Sequence, residues 1–331
     1  MRGLRAGGPA AAAAVALIVL ATAFHGWPDI GAWPPFGPRM LEVTFLDVGE
    51  GDAAVVRTPS GRWLAVDGGN LRLAAAPSPE ERAGALAGYL AYRRVRRLHL
   101  VVSTHPDADH LHGLVPVVER WPVDLVMTSG VEAADDGARR FEAAAVRRRL
   151  PVARPQRGWR ARLPDGVRLE FLNPPRGGEA WSENDRGLVL RLAYGDVSFL
   201  LAADVEAPAE AAMVGAGGCL ASTVLKVPHH GSRTSSTEAF LRAVAPRFAV
   251  VSVGPNPYGL PDAEVMERYR AQGVEVLRTD GGGAVRFRTD GRRLWLARGA
   301  GPWRRVDTAH AAAGEGAGCR ESGELVEVAQ P

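Results

Sequence analysis

The sequence predicts an α/β protein with the layers of an αββα sandwich, in which two mixed β-sheets pack face to face and helices cover their outer faces. Two observations predict this fold. Short apolar strands alternate with helices in both halves of the chain, as in βα units. Each half also contains strands joined as hairpins, so the sheets are expected to be mixed rather than purely parallel. One domain, over residues 41–298, accounts for the pattern.

The first half opens with three predicted strands. Leu41, Val43 and Phe45 alternate with polar residues, which is typical of a half-buried strand. Further strands are predicted over 53–57 and 63–66, on either side of a Pro-Ser-Gly turn. The later elements are a helix over 79–92, a strand over 98–102, a helix over 113–120, a strand over 123–127, a helix over 138–150, and a hairpin of 188–193 with 197–201.

The second half repeats this order and closes with another hairpin. Its predicted elements are helices over 206–213, 237–244 and 262–272, strands over 223–227, 248–253 and 275–277, and a hairpin of 284–288 with 294–297. The tail, residues 299–331, is rich in glycine and alanine and lacks a hydrophobic period. It is therefore predicted to be flexible.

Residues 1–24 carry an export signal or a single membrane anchor. Two arginines precede an apolar run whose length fits the core of a signal peptide, and Ala21-Thr22-Ala23 matches a cleavage site. A retained anchor helix is an equally good interpretation, because length decides poorly in this range. Residues 25–40 are rich in proline, glycine and tryptophan and are predicted to be a linker. Either way, we expect an extracytoplasmic protein that is periplasmic, secreted or anchored to the membrane.

The composition excludes several classes of protein. The chain has 331 residues, of which 46% are hydrophobic and 23% are charged, as in ordinary globular proteins. A formal net charge of +3 does not support a globally basic nucleic-acid binder. Only two cysteines, Cys219 and Cys319, are present, so a cysteine-rich metal site is excluded and one disulfide is allowed. Lys226 is the single lysine among 40 basic residues, a bias typical of genome composition, so arginine counts carry little weight.

Five of the eight histidines fall in two short clusters, each directly after a predicted apolar strand. The clusters consist of His105, His110 and His112, and of His229 and His230. Loops at the carboxyl end of a strand can direct several side chains to one point. Residues 105–110 combine two histidines with two aspartates, which favours a divalent-metal site over unrelated surface histidines.

Two questions about this site stay open at the level of sequence. Asp204 follows the predicted strand 197–201 and is either a bridging metal ligand or an ordinary helix N-cap. Of His229 and His230, one is expected to bind metal and the other to contact or protonate substrate. The sequence does not show which histidine has which role.

These residues carry a family resemblance. His105-Pro106-Asp107-Ala108-Asp109-His110 resembles the HxHxDH signature of the metallo-β-lactamase superfamily. Four further segments resemble the C-terminal domain of ComEC-type DNA-uptake proteins: Leu46-Asp47-Val48-Gly49-Glu50-Gly51-Asp52-Ala53, Val66-Asp67-Gly68-Gly69, Val227-Pro228-His229-His230-Gly231-Ser232 and Asn256-Pro257-Tyr258-Gly259. The resemblance covers residues 41–296. It implies an αββα fold and a metal-dependent hydrolase, which in the competence proteins is expected to be a nuclease that degrades the non-transported strand.

The resemblance also implies roles for individual residues. One divalent ion would be bound by His105, Asp107 and Asp204, and a second by Asp109, His110, Asp204 and His230 (or His229). The bridged ions, zinc or manganese, would activate a water molecule for hydrolysis. Asp109 is also counted among the catalytic residues, with Lys226, His229 and Ser232 as candidates for stabilising the developing charge. Asp67 would orient the metal loop, with Asp52 and Glu50 as further supporting residues.

The sequence departs from the family pattern in several places. Glu50 replaces the usual glutamine, Leu260 replaces a histidine that commonly follows Asn-Pro-Tyr-Gly, and no histidine lies between His112 and His229. One ion is therefore expected to bind weakly or not at all. A site rich in carboxylates also favours manganese mildly over zinc. Competence proteins carry a transmembrane transport region ahead of this domain, whereas this chain has at most one candidate span and is not expected to form a channel by itself.

Residues 139–162 hold nine arginines against one acidic residue, Glu142. This stretch could bind the phosphate backbone of a nucleic acid beside the active site. It could also be an ordinary solvent-exposed surface in an arginine-rich protein, and this second interpretation is favoured.

The first functional hypothesis is an exported metal-dependent phosphodiesterase or nuclease acting on DNA or nucleotides, with membrane contact through the N-terminal segment. The alternatives are a hydrolase of a small ester or lactam, and a metal-impaired module that binds DNA or a partner without turnover. The sequence identifies no protein partner.

Overall fold

The computed structural model describes residues 39–70, 79–132, 135–177, 180–308 and 326–327. The predicted export segment and nearly all of the predicted linker lie outside these residues. None of the helices within them is both long and apolar enough to cross a membrane.

The described part of the chain contains strands and helices in alternation. The strands are β1 (Leu41–Phe45), β2 (Ala54–Arg57), β3 (Trp63–Val66), β4 (Leu100–Ser103), β5 (Val126–Thr128), β6 (Val152–Ala153), β7 (Arg160–Arg162), β8 (Arg168–Asn173), β9 (Val189–Tyr194), β10 (Val197–Leu201), β11 (Val224–Lys226), β12 (Phe248–Val251), β13 (Glu275–Arg278), β14 (Val285–Thr289), β15 (Leu294–Arg298), β16 (Arg304–Val306) and β17 (Val326–Glu327). The α-helices are α1 (Pro79–Tyr92), α2 (Ala108–Leu111), α3 (Val115–Arg120), α4 (Asp136–Arg147), α5 (Ala207–Gly215), α6 (Glu238–Val244) and α7 (Ala263–Ala271).

The described strands form two mixed sheets. The larger has the order β16-β15-β14-β1-β2-β3-β4-β5-β6, and the smaller has the order β13-β12-β11-β10-β9-β8-β7-β17. Strands β3 to β6 are parallel in the first sheet, as are β10 to β13 in the second. Most of the other pairings are antiparallel, so the prediction of two mixed sheets is confirmed.

Three apolar clusters hold the layers together. The central cluster joins the facing sides of the two sheets, and its aromatic centre is Phe287, whose ring lies 6.3 Å from Phe45, 5.9 Å from Phe199 and 5.6 Å from Phe248. A second cluster packs α1, α3 and α4 on the outer face of the larger sheet. A third packs α5, α6 and α7 on the outer face of the smaller sheet. These four layers confirm the predicted αββα sandwich.

Strand β1 differs from its prediction on one face. The alternating pattern predicts a polar, exposed side, yet Glu42 and Thr44 are buried because α1 covers them. The Glu42 carboxylate accepts hydrogen bonds from Arg93 at 2.7 Å and from Arg288 at 3.1 Å, and the Thr44 hydroxyl lies 3.2 Å from that of Tyr89. Two guanidinium groups thus replace the water that this carboxylate would otherwise need.

The prediction of a flexible tail from residue 299 is wrong for two short segments. Strand β16 pairs antiparallel with β15, and β17 pairs parallel with β7. The Trp303 ring also lies 4.1 Å from the guanidinium of Arg288, a cation–π distance. Residues 309–325 and 328–331, with Cys319, lie outside the described residues. Cys219 is disulfide-bonded.

Two glycines bring the loop after β3 against the segment that follows α2. A Cβ atom on Gly113 would lie 1.9 Å from the carbonyl oxygen of Gly68, and one on Gly68 would lie 2.4 Å from Gly113. The Gly113 amide donates to Gly69 at 2.8 Å, and the Gly68 amide donates to His110 at 2.7 Å. Only glycine allows this approach.

We therefore expect Gly113→Ala to lower the free energy of unfolding by about 1–3 kcal/mol, the usual cost of overpacking. Gly88→Ala is the matched control, because a Cβ atom there meets open space on α1 and alanine favours helix. Urea denaturation of both variants measures the difference. Equal stability of the two variants would contradict the packing described here.

Candidate metal centre

Four side chains from three loops meet at one point. Asp109 and His110 lie on α2 after β4, Asp204 follows β10, and His230 lies in a short 3₁₀ turn, Pro228–Gly231, after β11. One ligand atom from each of the four lies within 4.8 Å of the others. The structure therefore brings together the residues predicted for the second ion. The position of Asp204 in this group favours a role as metal ligand over a role as helix N-cap.

The distances within this group are short. His110 Nε2 lies 3.2 Å from Asp204 Oδ1, while His230 Nε2 lies 3.3 Å from Asp204 Oδ2 and 3.2 Å from Asp109 Oδ2. Asp204 thus presents one oxygen to each imidazole. All of these side chains except that of Asp109 are buried.

The unpaired atoms of the site fit a bound metal ion. The buried Nε2 atoms of His105 and His110 and the Oδ1 atom of Asp204 have no hydrogen-bond partner among the described residues. Unpaired buried polar atoms are rare in native proteins and need a reason. Asp109, His110, Asp204 and His230 together offer two imidazoles and two carboxylates, a donor set suited to zinc or manganese. A divalent ion bound there would explain the unpaired atoms of His110 and Asp204, whereas His105 lies outside this group.

The rings of His110 and His230 are each held in place by a contact at Nδ1. His110 Nδ1 lies 3.0 Å from Asp67 Oδ2, and Asp67 also accepts hydrogen bonds from the amide of Thr104 at 2.8 Å and from its hydroxyl at 2.7 Å. His230 Nδ1 donates to the carbonyl of Ser252 at 2.8 Å. These bonds direct both Nε2 atoms toward the carboxylates, as metal-binding histidines require. Asp67 therefore has the placement that an orienting aspartate needs.

Backbone geometry separates the two adjacent histidines. His229 and His230 have φ values of 47° and 52°, in the left-handed region that non-glycine residues rarely adopt. The turn sends His230 into the cluster and leaves His229 at its side, 26% exposed, with Nδ1 3.2 Å from Glu206 Oε1 and Nε2 4.0 Å from Asp204 Oδ2. The structure thus places His230, and not His229, in the group that could hold a metal ion.

The set predicted for the other ion is not assembled. His105, Asp107 and Asp204 form no comparable group among the described residues. His105 Nε2 lies 3.6 Å from Asp107 Oδ2, and the Asp107 side chain is 43% exposed. The sequence also offers no third-motif histidine between His112 and His229 for this side.

Lys226 does not lie where its predicted role requires. Its side chain is almost fully buried, its ammonium pairs with Asp52 Oδ2 and lies 3.5 Å from Asp204 Oδ1, and it donates to the carbonyl of Ala203 at 3.3 Å. An ammonium held by these acceptors behind the ligands cannot contact substrate. The assignment of Lys226 as a substrate-facing catalytic residue is therefore wrong.

The remaining candidates lie around the cluster. Burial raises the pKa of Glu50, and the charges of Asp109 and Asp204 raise it further despite the opposing effect of His230, so Glu50 is within electrostatic reach of the ligands. The Ser232 hydroxyl lies 3.0 Å from that of Thr234. Sequence reasoning missed Thr104, Ser252 and Glu206, which orient the imidazoles; their only signal is their position beside ligands or at strand ends.

The Metallo-beta-lactamase superfamily profile matches residues 46–254. This chain belongs to the metallo-beta-lactamase superfamily. It is 36% identical over 251 residues to "Competence protein ComA" of Neisseria gonorrhoeae, covering 74% of this chain and 32% of that protein. It is 28% identical over 257 residues to "ComE operon protein 3" of Bacillus subtilis (strain 168), covering 75% and 33%. The chain spans about a third of the length of these curated relatives.

Among solved structures, the metallo hydrolase Igni18 of Ignicoccus hospitalis KIN4/I is 15% identical, with a TM-score of 0.48 over 74% of this chain and 98% of that one. The superfamily match and the competence relatives support a metal-dependent hydrolase.

Many arginines of residues 139–162 in this superfamily member have structural partners. Arg148 donates to the carbonyls of Val118 and Trp121 at 2.7 and 2.6 Å. The other paired members are Arg139 with Asp136, Arg140 and Arg147 with Glu119, Arg157 with the Leu172 carbonyl, and Arg160 with Glu170. This pairing favours a structural and solvated role over a track for phosphates.

The carboxylates of the site raise the pKa of both candidate ligand histidines, His110 and His230. Burial by itself lowers the pKa of His110 and of His230, but the carboxylates of Asp204 and Asp109 outweigh it. The pKa of His110 lies well above its usual range, and that of His230 is raised to about 10. Both imidazoles are therefore shifted toward their protonated forms when no metal is bound, and an imidazolium cannot ligate a metal.

We therefore expect Mn²⁺ or Zn²⁺ binding at pH 7 to release protons and to weaken as the pH falls. Isothermal titration calorimetry in buffers of different ionisation enthalpy measures the number released. His112→Gln is a matched control, because His112 lies outside the group, 2.8 Å from Asp135, and its loss should leave that number unchanged. A binding heat that does not depend on the buffer would contradict this electrostatic description.

Proposed function

We propose that this protein is an exported, metal-dependent phosphodiesterase that cleaves DNA or nucleotides. The observation that carries the proposal is the group formed by Asp109, His110, Asp204 and His230, in which the buried His110 Nε2 and Asp204 Oδ1 atoms have no hydrogen-bond partner among the described residues. The chemistry of its donors favours zinc or manganese, with the carboxylates tilting the choice toward manganese.

Each residue of the site has a part in this proposal. A divalent ion held by the four ligands would supply Lewis acidity, which activates water and polarises a phosphoryl or carbonyl oxygen. Asp67 and the Ser252 carbonyl hold the two imidazoles in the tautomer that leaves Nε2 toward the ligands. Exclusion of water on the buried side strengthens every charge interaction of the site.

His229 is the residue proposed to contact or protonate the substrate. Its side chain is 26% exposed, whereas that of His230 is buried. Glu206 faces its Nδ1 atom, and Thr234 donates to the same Glu206 oxygen at 2.8 Å. This pair of contacts fixes the ring, so that Nε2 is left for the substrate side.

DNA is the favoured substrate because of the relatives. Two of them are named "Competence protein ComA" and "ComE operon protein 3", and the sequence motifs resemble ComEC-type DNA-uptake domains. The N-terminal segment favours action outside the cytoplasm, at or near the membrane. The paired arginines of residues 139–162 add no support for DNA.

The test is hydrolysis of bis-p-nitrophenyl phosphate and of linear single-stranded DNA by the full chain with added Mn²⁺ or Zn²⁺. We expect metal-dependent turnover of both, and a loss of at least about 100-fold in kcat for Asp109→Ala, because a ligand is removed. Asp165→Asn is the matched control: this aspartate is also hydrogen-bonded, to Ser60 at 2.6 Å, but lies outside the metal group, and activity should stay within about twofold.

Three other outcomes would overturn the proposal. Turnover of p-nitrophenyl acetate or a lactam without turnover of phosphodiesters would favour the small-ester or lactam hydrolase. DNA binding without turnover, unchanged in Asp109→Ala, would favour the binding module. Equal loss of activity in Asp109→Ala and Asp165→Asn would show that the effect does not come from the metal group.

A further inference from the structure

The single lysine of the chain occupies the most buried cationic position of the site. Every other one of the 40 basic residues is arginine, so arginine serves wherever a surface or interface needs positive charge. Lys226 is 2% exposed. Lysine and arginine differ where a compact point charge is needed instead of a planar fork, and this difference explains the exception.

The ammonium group of Lys226 contacts the carboxylate of Asp204, which belongs to the four-ligand group. It is 3.5 Å from Asp204 Oδ1, the same oxygen that lies 3.2 Å from His110 Nε2, and it pairs with Asp52 Oδ2 on its other side. Asp204 therefore stands between the four-ligand group and the lysine. One oxygen of Asp204 faces both a ligand imidazole and a fixed positive charge.

Asp52, Asp67 and His110 form a second group with ligand atoms within 4.8 Å of one another. Its capacity is already used, because Asp67 accepts three hydrogen bonds or close contacts from Thr104 and His110, and Asp52 is paired with Lys226. A cavity of about 10 Å³ borders Asp52, Asp67 and Lys226 and is lined on its other sides by core residues such as Phe45 and Leu201. This space suits about one water molecule and not a guanidinium.

We propose that Lys226 is a built-in cation that takes the place of a second metal ion, so that this centre binds one divalent ion per chain, at Asp109, His110, Asp204 and His230. The inference rests on the metal centre of the proposed function but not on its substrate. Lys226 neutralises Asp52 and one side of Asp204 and repels a second cation, while it holds the Asp204 carboxylate in place. It is a positioning residue, since it does not reach the substrate side.

The absence of an assembled first-ion set supports the same conclusion. His105, Asp107 and Asp204 do not converge within the described part of the chain, and the sequence lacks the third-motif histidine. The described geometry thus offers one complete group of ligands and one resident ammonium, instead of two complete groups.

The experiment counts Mn²⁺ ions bound by the full chain, using electron paramagnetic resonance of free Mn²⁺ during titration and elemental analysis after dialysis. We expect one ion per chain for the wild type. Lys226→Met keeps the length of the side chain and removes its charge, so a second ion should bind at Asp52 and Asp204, the two carboxylates that the ammonium contacts. Arg93→Met is the matched control: it removes a buried cation from another carboxylate, Glu42, and should still bind one ion.

Asp52→Asn is expected to change Mn²⁺ binding in the opposite direction from Lys226→Met. Lys226 then pairs with Asp204 alone and competes more strongly with the metal, so the Mn²⁺ Kd should rise about tenfold. Combining Asp52→Asn with Lys226→Met should restore it. A role of Lys226 in folding alone would instead weaken metal binding in each single variant and weaken it further in the double variant.

Two ions of similar affinity in the wild type, or one ion in a folded Lys226→Met protein, would overturn the inference. If Lys226→Met does not fold, as judged by circular dichroism, unchanged or tighter Mn²⁺ binding by Asp52→Asn would overturn it. Two bound ions with intact phosphodiesterase activity would refute the single-ion centre and leave the proposed function standing. A wild type that binds no Mn²⁺ or Zn²⁺ would refute both.

Discussion

The buried carboxylate of Asp204 is the group on which the rest of the site depends. Burial by itself raises the pKa of Asp204, but the charges of His110, His230 and Lys226 hold it well below its usual range. A buried charge is stable only when it is paired and hydrogen-bonded, so the surrounding cations are a physical requirement. The two imidazoles and the ammonium come from both sheets, and the sandwich must form before they can meet.

The packing of the two sheets in turn explains why short loops are enough to bring the ligand residues together. Strand β4 belongs to one sheet, and β10 and β11 to the other, so the packing of the two sheets sets the distance between Asp109 and Asp204. The close contact of Gly68 with Gly113 holds in place the segment that carries Asp109 and His110. Asp67 accepts hydrogen bonds from Thr104 and from His110, and these bonds set the direction of the His110 ring. Stability and function share these contacts.

Much of the fold could be predicted because it depends on local hydrophobic patterns. The bounds of β3 and β10 match the predicted ones. Those of α1 also match, but the helix is interrupted at Gly84, which has a φ of 74°. Strand β7 is missed because it has only three residues, two of them arginine. Strand β8 is missed although it is six residues long and carries Leu169, Phe171 and Leu172. Glu42 was placed on an exposed face because its burial depends on a distant helix, α1, and on Arg288, more than 240 residues away in the chain.

The ligand group could be predicted only in part. Clustered histidines and aspartates identify the loops, but which of His229 and His230 enters the site depends on left-handed backbone angles that the sequence does not display. Lys226 looks like a catalytic residue in sequence because it precedes the histidine pair. Its role is set by Asp52, which comes from a loop 174 positions earlier, and by its burial between the sheets.

The central claim is that Asp204 and its three ligand partners hold a divalent metal ion. The most direct measurement is the anomalous difference density of crystals of the full chain grown with Mn²⁺ and recorded near the manganese absorption edge. The account predicts a peak within bonding distance of Asp109, His110, Asp204 and His230. Absence of a peak there, or manganese bound only elsewhere in the molecule, would contradict it.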